Sequence, residues 1–176
     1  MLPSRIVLTV AALVTAVVLQ VSVASRLGLP GATPDLVLLV VVGLALAYGP
    51  SYGVAVGFAA GLCLDLAPPG LAPMGRWAIV LCLVGYLVGM LADQAERSAF
   101  LPVLVVAGAA AGAALGYAAL GGLIGDTRVT WPAVSQVVPT AVLYDVVLSP
   151  FVVGALLALA RRGSTDVVLT TSRGRR

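Results

Sequence analysis

Residues 36–66 form a nearly continuous run of apolar amino acids, with Asp65 near its end, broken by "YGPSYG" at 48–53. At 1.5 Å per residue those 31 positions would make about 46 Å of helix, too long for one crossing of a ~30 Å hydrocarbon core and too short for two full ones. The expectation is two short helices that turn at Gly49 and Pro50, because a proline ends a helix at the residue before it. Short helices are tolerated when they tilt little, thin the bilayer locally or lie mainly against protein.

Composition sets the solvent. The chain is 61% hydrophobic and 10% charged, with no His and no Lys, more apolar surface than a soluble domain can hide. Its 176 residues leave room for five or six spans of about 20 residues in one domain. Six apolar segments stand out: 6–25, 36–48, 52–67, 77–92, 100–124 and 133–160. The first could be mistaken for a secretory signal. Its apolar run is longer than a signal h-region and further segments follow, so it reads as a retained span. The breaks "RLGLPGATPD", "PPGLAPMGR", "DQAER" and "GDTRVTWP" are short and turn-rich. The fold class is therefore an all-α polytopic membrane protein of about six transmembrane helices, with segments 2 and 3 short. A single membrane domain spans 1–162, and 163–176 form a polar, Arg-rich tail expected to be disordered and cytoplasmic.

Arginine sets the expected orientation. With the N-terminus inside, Arg5, Arg97, Arg161, Arg162 and the tail arginines Arg173, Arg175 and Arg176 fall on one side, and Arg26, Arg76 and Arg128 on the other. Both termini are thus expected to be cytoplasmic, in the cell membrane. Trp77 and Trp131 open segments 4 and 6 at one interface, while Tyr48 and Tyr52 flank the opposite turn, an aromatic belt at each face. The tail, rich in Arg and without interleaved aromatics, suits anionic lipid headgroups and not nucleic acid. Cys63 and Cys82 show no CxxC spacing and have no His beside them; they read as small core residues, with no metal or other cofactor implied.

Small residues recur at four-residue steps. Gly53, Gly57, Gly61 and Asp65 do so in segment 3, Gly85, Gly89 and Asp93 in segment 4, and Gly108, Gly112 and Gly116 in segment 5. Such rows form slanted stripes along which membrane helices approach closely, so these glycines are candidate helix-packing or partner interfaces.

Two acids draw attention. An ionisable group within a span is expensive and marks a functional candidate. Asp65 stands three residues before Pro68 and Pro69, so it is either a membrane acid with a function or a group that caps the turn. Asp145 is deeper, between Pro139 and Pro150, whose missing N–H groups mark a kinked helix with carbonyls in need of local partners. Paired aspartates invite an intramembrane protease reading. "YD" is present at Tyr144 and Asp145, but "GLIGD" at 122–126 has the wrong spacing for GxGD. Nor is there a nucleophile triad, an HExxH or a phosphate loop followed by Lys. No catalytic residue and no metal ligand is assigned.

The stretch "TPDLVLLVVVGLALAYGPSYGVAVGFAAGLCLDLAPPGLAPMGRWAIVLCLVGYLVGML" resembles the signature region of the rod shape-determining protein MreD family. The resemblance lies in Pro-Asp opening the second helix, the aromatic-Gly-Pro turn, G-F-x-x-G-L-x-x-D-L, the Pro-Gly exit and V-G-Y-L-x-G. "PTAVLYDVVLSP" near the end fits as well, although Asn is commoner than Asp at position 145 in such proteins. The resemblance implies a non-catalytic membrane subunit of the cell-wall elongation machinery. It also implies a bitopic MreC partner and, through it, the MreB filament and the RodA and penicillin-binding synthases of peptidoglycan, as well as a helical fold similar to the substrate-binding subunits of energy-coupling factor transporters. A vitamin-binding subunit of that transporter type is the alternative function. Ala12-x-x-x-Ala16 favours it; the few polar side chains of the outward loops, namely Asp65, Arg76, Asp126, Thr127, Arg128 and Thr130, oppose it.

Overall fold

The computed structural model describes residues 2–22, 31–67, 74–95, 97–98, 100–126 and 129–173, and their side chains between residues 5 and 161. These residues form α1 (Leu2–Ser22), α2 (Leu36–Tyr48), α3 (Pro50–Leu66), α4 (Arg76–Gly89), α5 (Ala92–Ala95), α6 (Leu101–Ile124) and α7 (Trp131–Arg173). Helices α1, α6 and α7 are long and apolar enough to cross a membrane. Three others are short: α2 has 13 residues, α3 has 17 and α4 has 14, or roughly 20, 26 and 21 Å of rise. The expectation of two short helices therefore extends to a third. Segment 4 ends at Gly89 and the chain turns into the four-residue α5.

The break between α2 and α3 falls where the sequence places it. Gly49 has φ 86°, a conformation open to glycine, and Pro50 starts α3, where its missing N–H has no helical acceptor to lose.

Helix α2 occupies the centre. Every residue from Val37 to Leu46 is buried, and α1, α3, α4, α6 and α7 all touch it. A helix apolar on every side belongs where protein surrounds it completely. Its length no longer has to match the bilayer, since lipid does not set its environment.

Glycines bring α3 and α4 together. Gly53 and Gly85 face each other so closely that a Cβ on either would collide with the other's carbonyl. A Cβ at Gly57 would meet the Leu81 carbonyl, one at Gly61 the backbone of Trp77 and Ala78, and one at Gly89 the backbone of Pro50. Four levels of backbone contact follow, the close approach that small-residue rows permit in membranes. The rows of segments 3 and 4 are each other's partners. On α6 the row behaves differently: Gly116 lies 3.6 Å from a Val80 methyl by its would-be Cβ, and Gly108 and Gly112 have nothing within 4 Å.

Helix α7 contains both Pro139 and Pro150. Pro150 cannot donate to the carbonyl of Val146, and the buried Ser149 hydroxyl donates to it instead at 2.8 Å. Polar side chains thus repair the ladder that proline opens, as a helix in lipid requires. The two cysteines part ways: Cys82 is half-buried, but Cys63 is exposed, a correction to its expected core position. It lies on the side of α3 away from α4, because Gly53, Gly57 and Gly61 occupy the packed side.

At the end where α1 begins and α2 gives way to α3, the Arg5 guanidinium lies 4.8 Å from the Tyr48 ring centroid, and Tyr48 meets Tyr52 edge-on at 4.9 Å. The hydroxyls of Tyr52 and Thr9 share a hydrogen bond of 2.6 Å. These contacts pin the first turns of α1 to the α2–α3 corner.

Adding a branched side chain at Gly57 must separate α3 from α4. Gly57→Val is expected to lower stability by about 1–3 kcal/mol or more, as overpacking does, whereas Gly108→Val changes it by no more than about 0.5 kcal/mol. Thermal unfolding of the purified chain in detergent reads the difference.

Candidate functional site

Polar side chains gather at the end of the bundle opposite Arg5. The first N–H groups of a helix have no acceptor within it, and α4 begins with Gly75 as its cap residue, which offers no side chain. Asp65, the next-to-last residue of α3, supplies the acceptor. Its Oδ2 accepts from the N–H of Gly75 at 2.9 Å and of Ala78 at 3.1 Å, and its Oδ1 from the N–H of Trp77 at 3.1 Å. The carboxylate also faces the positive end of the α4 dipole. It is buried, so the capping reading of Asp65 describes its geometry, with one difference. The cap serves the start of the next helix, across the loop; Pro68 and Pro69 lie outside the described residues.

Arg76, the first residue of α4, is 3% exposed. Its Nε and Nη2 donate to the carbonyl of Tyr117 at 2.8 and 2.5 Å, and its Nη1 forms an ion pair with Asp126 at 3.0 Å. The guanidinium lies 3.5 Å from the Tyr117 ring centroid, and Trp77 stacks on the same ring at 4.4 Å. Gly121 makes room, because a Cβ there would strike the guanidinium. A buried cation needs such a set of partners, and losing one costs about 3–5 kcal/mol. Sequence inspection placed Arg76 among loop residues; its cage of Tyr117 and Gly121 from α6 and Asp126 just beyond that helix lies too far along the chain for local patterning to reveal.

The start of α2 poses the same problem deeper in the bundle. Asp35 caps its own helix, Oδ1 accepting from the Leu38 N–H at 2.9 Å. Gln20 of α1 accepts from the Val37 N–H at 3.0 Å. Asp145 of α7, 1% exposed, accepts from the Asp35 N–H at 2.7 Å. One turn earlier on α7, the Thr140 hydroxyl accepts from the Ala32 N–H at 3.0 Å. Four side chains from three helices thus satisfy the approach to α2. Sequence reasoning singled out Asp145 but not its acceptor role, and it passed over Gln20 and Thr140.

Between these two polar clusters lies a cavity of about 930 Å³. Among the described residues, Asp35, Asp65, Asp126 and Asp145 line it with a single cation, Arg76, while alanines and valines of α6 and α7 supply much of the remaining wall. Every buried side-chain nitrogen and oxygen among the described residues has a hydrogen-bond partner. Among those residues, no group of three or more His, Cys, Asp or Glu is placed to hold a metal ion. The polar side chains are thus occupied in holding helix ends, and the arrangement can position helices and enclose a space. Of the remaining expected polar residues, Thr130 is exposed beside the start of α7. Arg26, Thr127 and Arg128, with the side chains of Arg162 and the tail arginines, lie outside the described residues. Trp131 is exposed, while Trp77 is half-buried against Tyr117.

The fold and site define a helical membrane protein whose polar residues cap short internal helices around a cavity. A sequence model of the rod shape-determining protein MreD family matches residues 4–162, and the chain belongs to that family. It is accordingly a membrane protein of the rod-shape-determining class. No curated protein and no solved structure gives a significant match.

Asp145 accepts the Asp35 N–H through one oxygen, which an amide can also do. Asp145→Asn is expected to keep stability within about 0.5 kcal/mol, whereas Asp145→Leu strands the Asp35 N–H and loses about 1–3 kcal/mol. Asp65→Asn leaves one acceptor oxygen for three donors and falls between wild type and Asp65→Leu. Thermal unfolding in detergent gives the ranking.

Proposed function

We propose that this chain is a non-catalytic scaffold of the bacterial cell-elongation machinery. It binds the transmembrane helix of an MreC-type bitopic protein, and through that protein it organises peptidoglycan synthesis with the MreB filament and the RodA and penicillin-binding synthases. Family membership supports the cellular role. The observation that carries the binding role is the contrast between glycine rows: those of α3 and α4 are filled by each other, while Gly108 and Gly112 of α6 face open space. A second helix could approach α6 there as closely as α4 approaches α3. The capping duties of Asp65 and Asp145 favour a structural over a catalytic use of the membrane acids.

A cell-membrane location with cytoplasmic termini agrees with the placement of Arg5, at the start of α1, and Arg97, after α5, at the same end of the bundle. The polar residues 163–176 then form a cytoplasmic tail that contacts anionic lipid.

The cavity gives one reason to weigh a substrate-binding subunit of an energy-coupling factor transporter. Against it, Ala16 is buried in the core and Ala12 packs against that core, which leaves the Ala12-x-x-x-Ala16 motif little surface for docking. A thermal shift against a vitamin panel separates the two, since a ligand that binds only the folded state raises its stability.

With cysteine placed at Gly112 in a rod-shaped host, crosslinking to an MreC-type protein is expected, and none is expected from Gly57→Cys, whose position is covered by α4. No crosslink from Gly112 and neighbouring α6 positions, together with unchanged cell width on deletion of the gene, would sink the scaffold reading.

A further inference from the structure

The cavity has features that the scaffold role does not use. Its wall between the helices consists of small aliphatic side chains, among them Ala110, Ala113 and Ala114 of α6 and Val134, Val138 and Ala141 of α7. Its volume of about 930 Å³ lies near the top of the range of roughly 300–1,000 Å³ for sites that enclose a small-molecule ligand. The buried polar side-chain atoms among the described residues are already bonded within the protein, so an occupant is not required to supply hydrogen bonds to them, and an apolar body suits the space. Trp131, Pro132, Ser135 and Gln136 of α7 are exposed, while Val134 and Val138 on the same stretch line the cavity.

Charge narrows the choice of occupant. Among the described residues, four carboxylates and one guanidinium line the space, and that guanidinium is already paired with Asp126. Such a lining repels a head with net negative charge and tolerates one that carries an ammonium group. The polar residues Asp126 and Arg76, with the Trp77–Tyr117 stack beside them, lie just past the end of α6 and at the start of α4, where a head would remain while a hydrocarbon chain extends along the lining alanines of α6 and valines of α7.

We propose that the cavity holds the hydrocarbon chain of a zwitterionic, ammonium-bearing phospholipid, in preference to an anionic one. The bilayer itself is the reservoir. The proposal is independent of the scaffold reading, since lipid retention and partner capture are measured separately.

The test uses the full chain, purified and reconstituted in nanodiscs of equal phosphatidylethanolamine and phosphatidylglycerol, then released for native mass spectrometry. The expected result is one tightly retained lipid per chain, enriched in phosphatidylethanolamine over the input mixture. Ala114→Phe, which fills the cavity, is expected to abolish retention, and Leu83→Ala, at an exposed position of α4 that does not line the cavity, to leave it unchanged. Equal or preferential retention of phosphatidylglycerol, retention undiminished in a folded Ala114→Phe, or displacement by a water-soluble compound would overturn the proposal. If Ala114→Phe does not fold, the head-group competition on the unmodified chain decides alone.

Discussion

A helix that starts below the membrane surface leaves backbone N–H groups where water cannot reach them, and the rest of this structure follows from how those groups are satisfied. Both α2 and α4 are too short to reach from one face of a ~30 Å core to the other. The Asp65 carboxylate receives three N–H groups at the head of α4, and Asp145, Gln20, Thr140 and Asp35 share those at the approach to α2. A chain with only seven acidic residues places three of them in these roles. What looked like costly membrane acids are acceptors, and their burial is tolerated because each is bonded.

The capping arrangement depends in turn on close backbone packing. Asp65 can reach the head of α4 because Gly61, one turn earlier, lets α3 lie against the backbone of Trp77 and Ala78. The same contact brings Arg76 into the cage formed by Tyr117, Gly121 and Asp126. Helix α2 is then enclosed by α1, α7 and the α3–α4 pair, and it needs no polar side of its own. With α3 and α4 turned toward each other, their glycine rows are covered, whereas Gly108 and Gly112 of α6 have no described atom within 4 Å of a would-be Cβ.

Much of this was legible in the sequence. The turn at Gly49 and Pro50, the order of the apolar segments and the proline-containing last helix all come from local chemistry, in which apolar runs and helix breakers act on their neighbours. The glycine rows were equally visible, but their partners were not, since an i, i+4 spacing reads the same whether it faces another helix of the chain or open space. The bond from Asp145 to the Asp35 N–H joins residues 110 positions apart, and no short-range pattern reports it. Arg76 reads as a loop cation until α6 is brought beside it. Segment 4 reads as longer than α4 because the apolar Met90 and Leu91 continue the run beyond the last helical residue, Gly89.

If the acids of this membrane domain serve to close helix ends, as the family's structural role leads one to expect, their backbone partners must be shielded. Hydrogen–deuterium exchange of the chain in nanodiscs tests this directly at the amides of Asp35, Val37, Trp77 and Ala78. The account predicts slow exchange at all four in the wild-type protein, with Trp77 and Ala78 alone becoming fast in Asp65→Ala and Asp35 alone in Asp145→Ala. Fast exchange of these amides in the wild type, or no change at them in either variant, would contradict it.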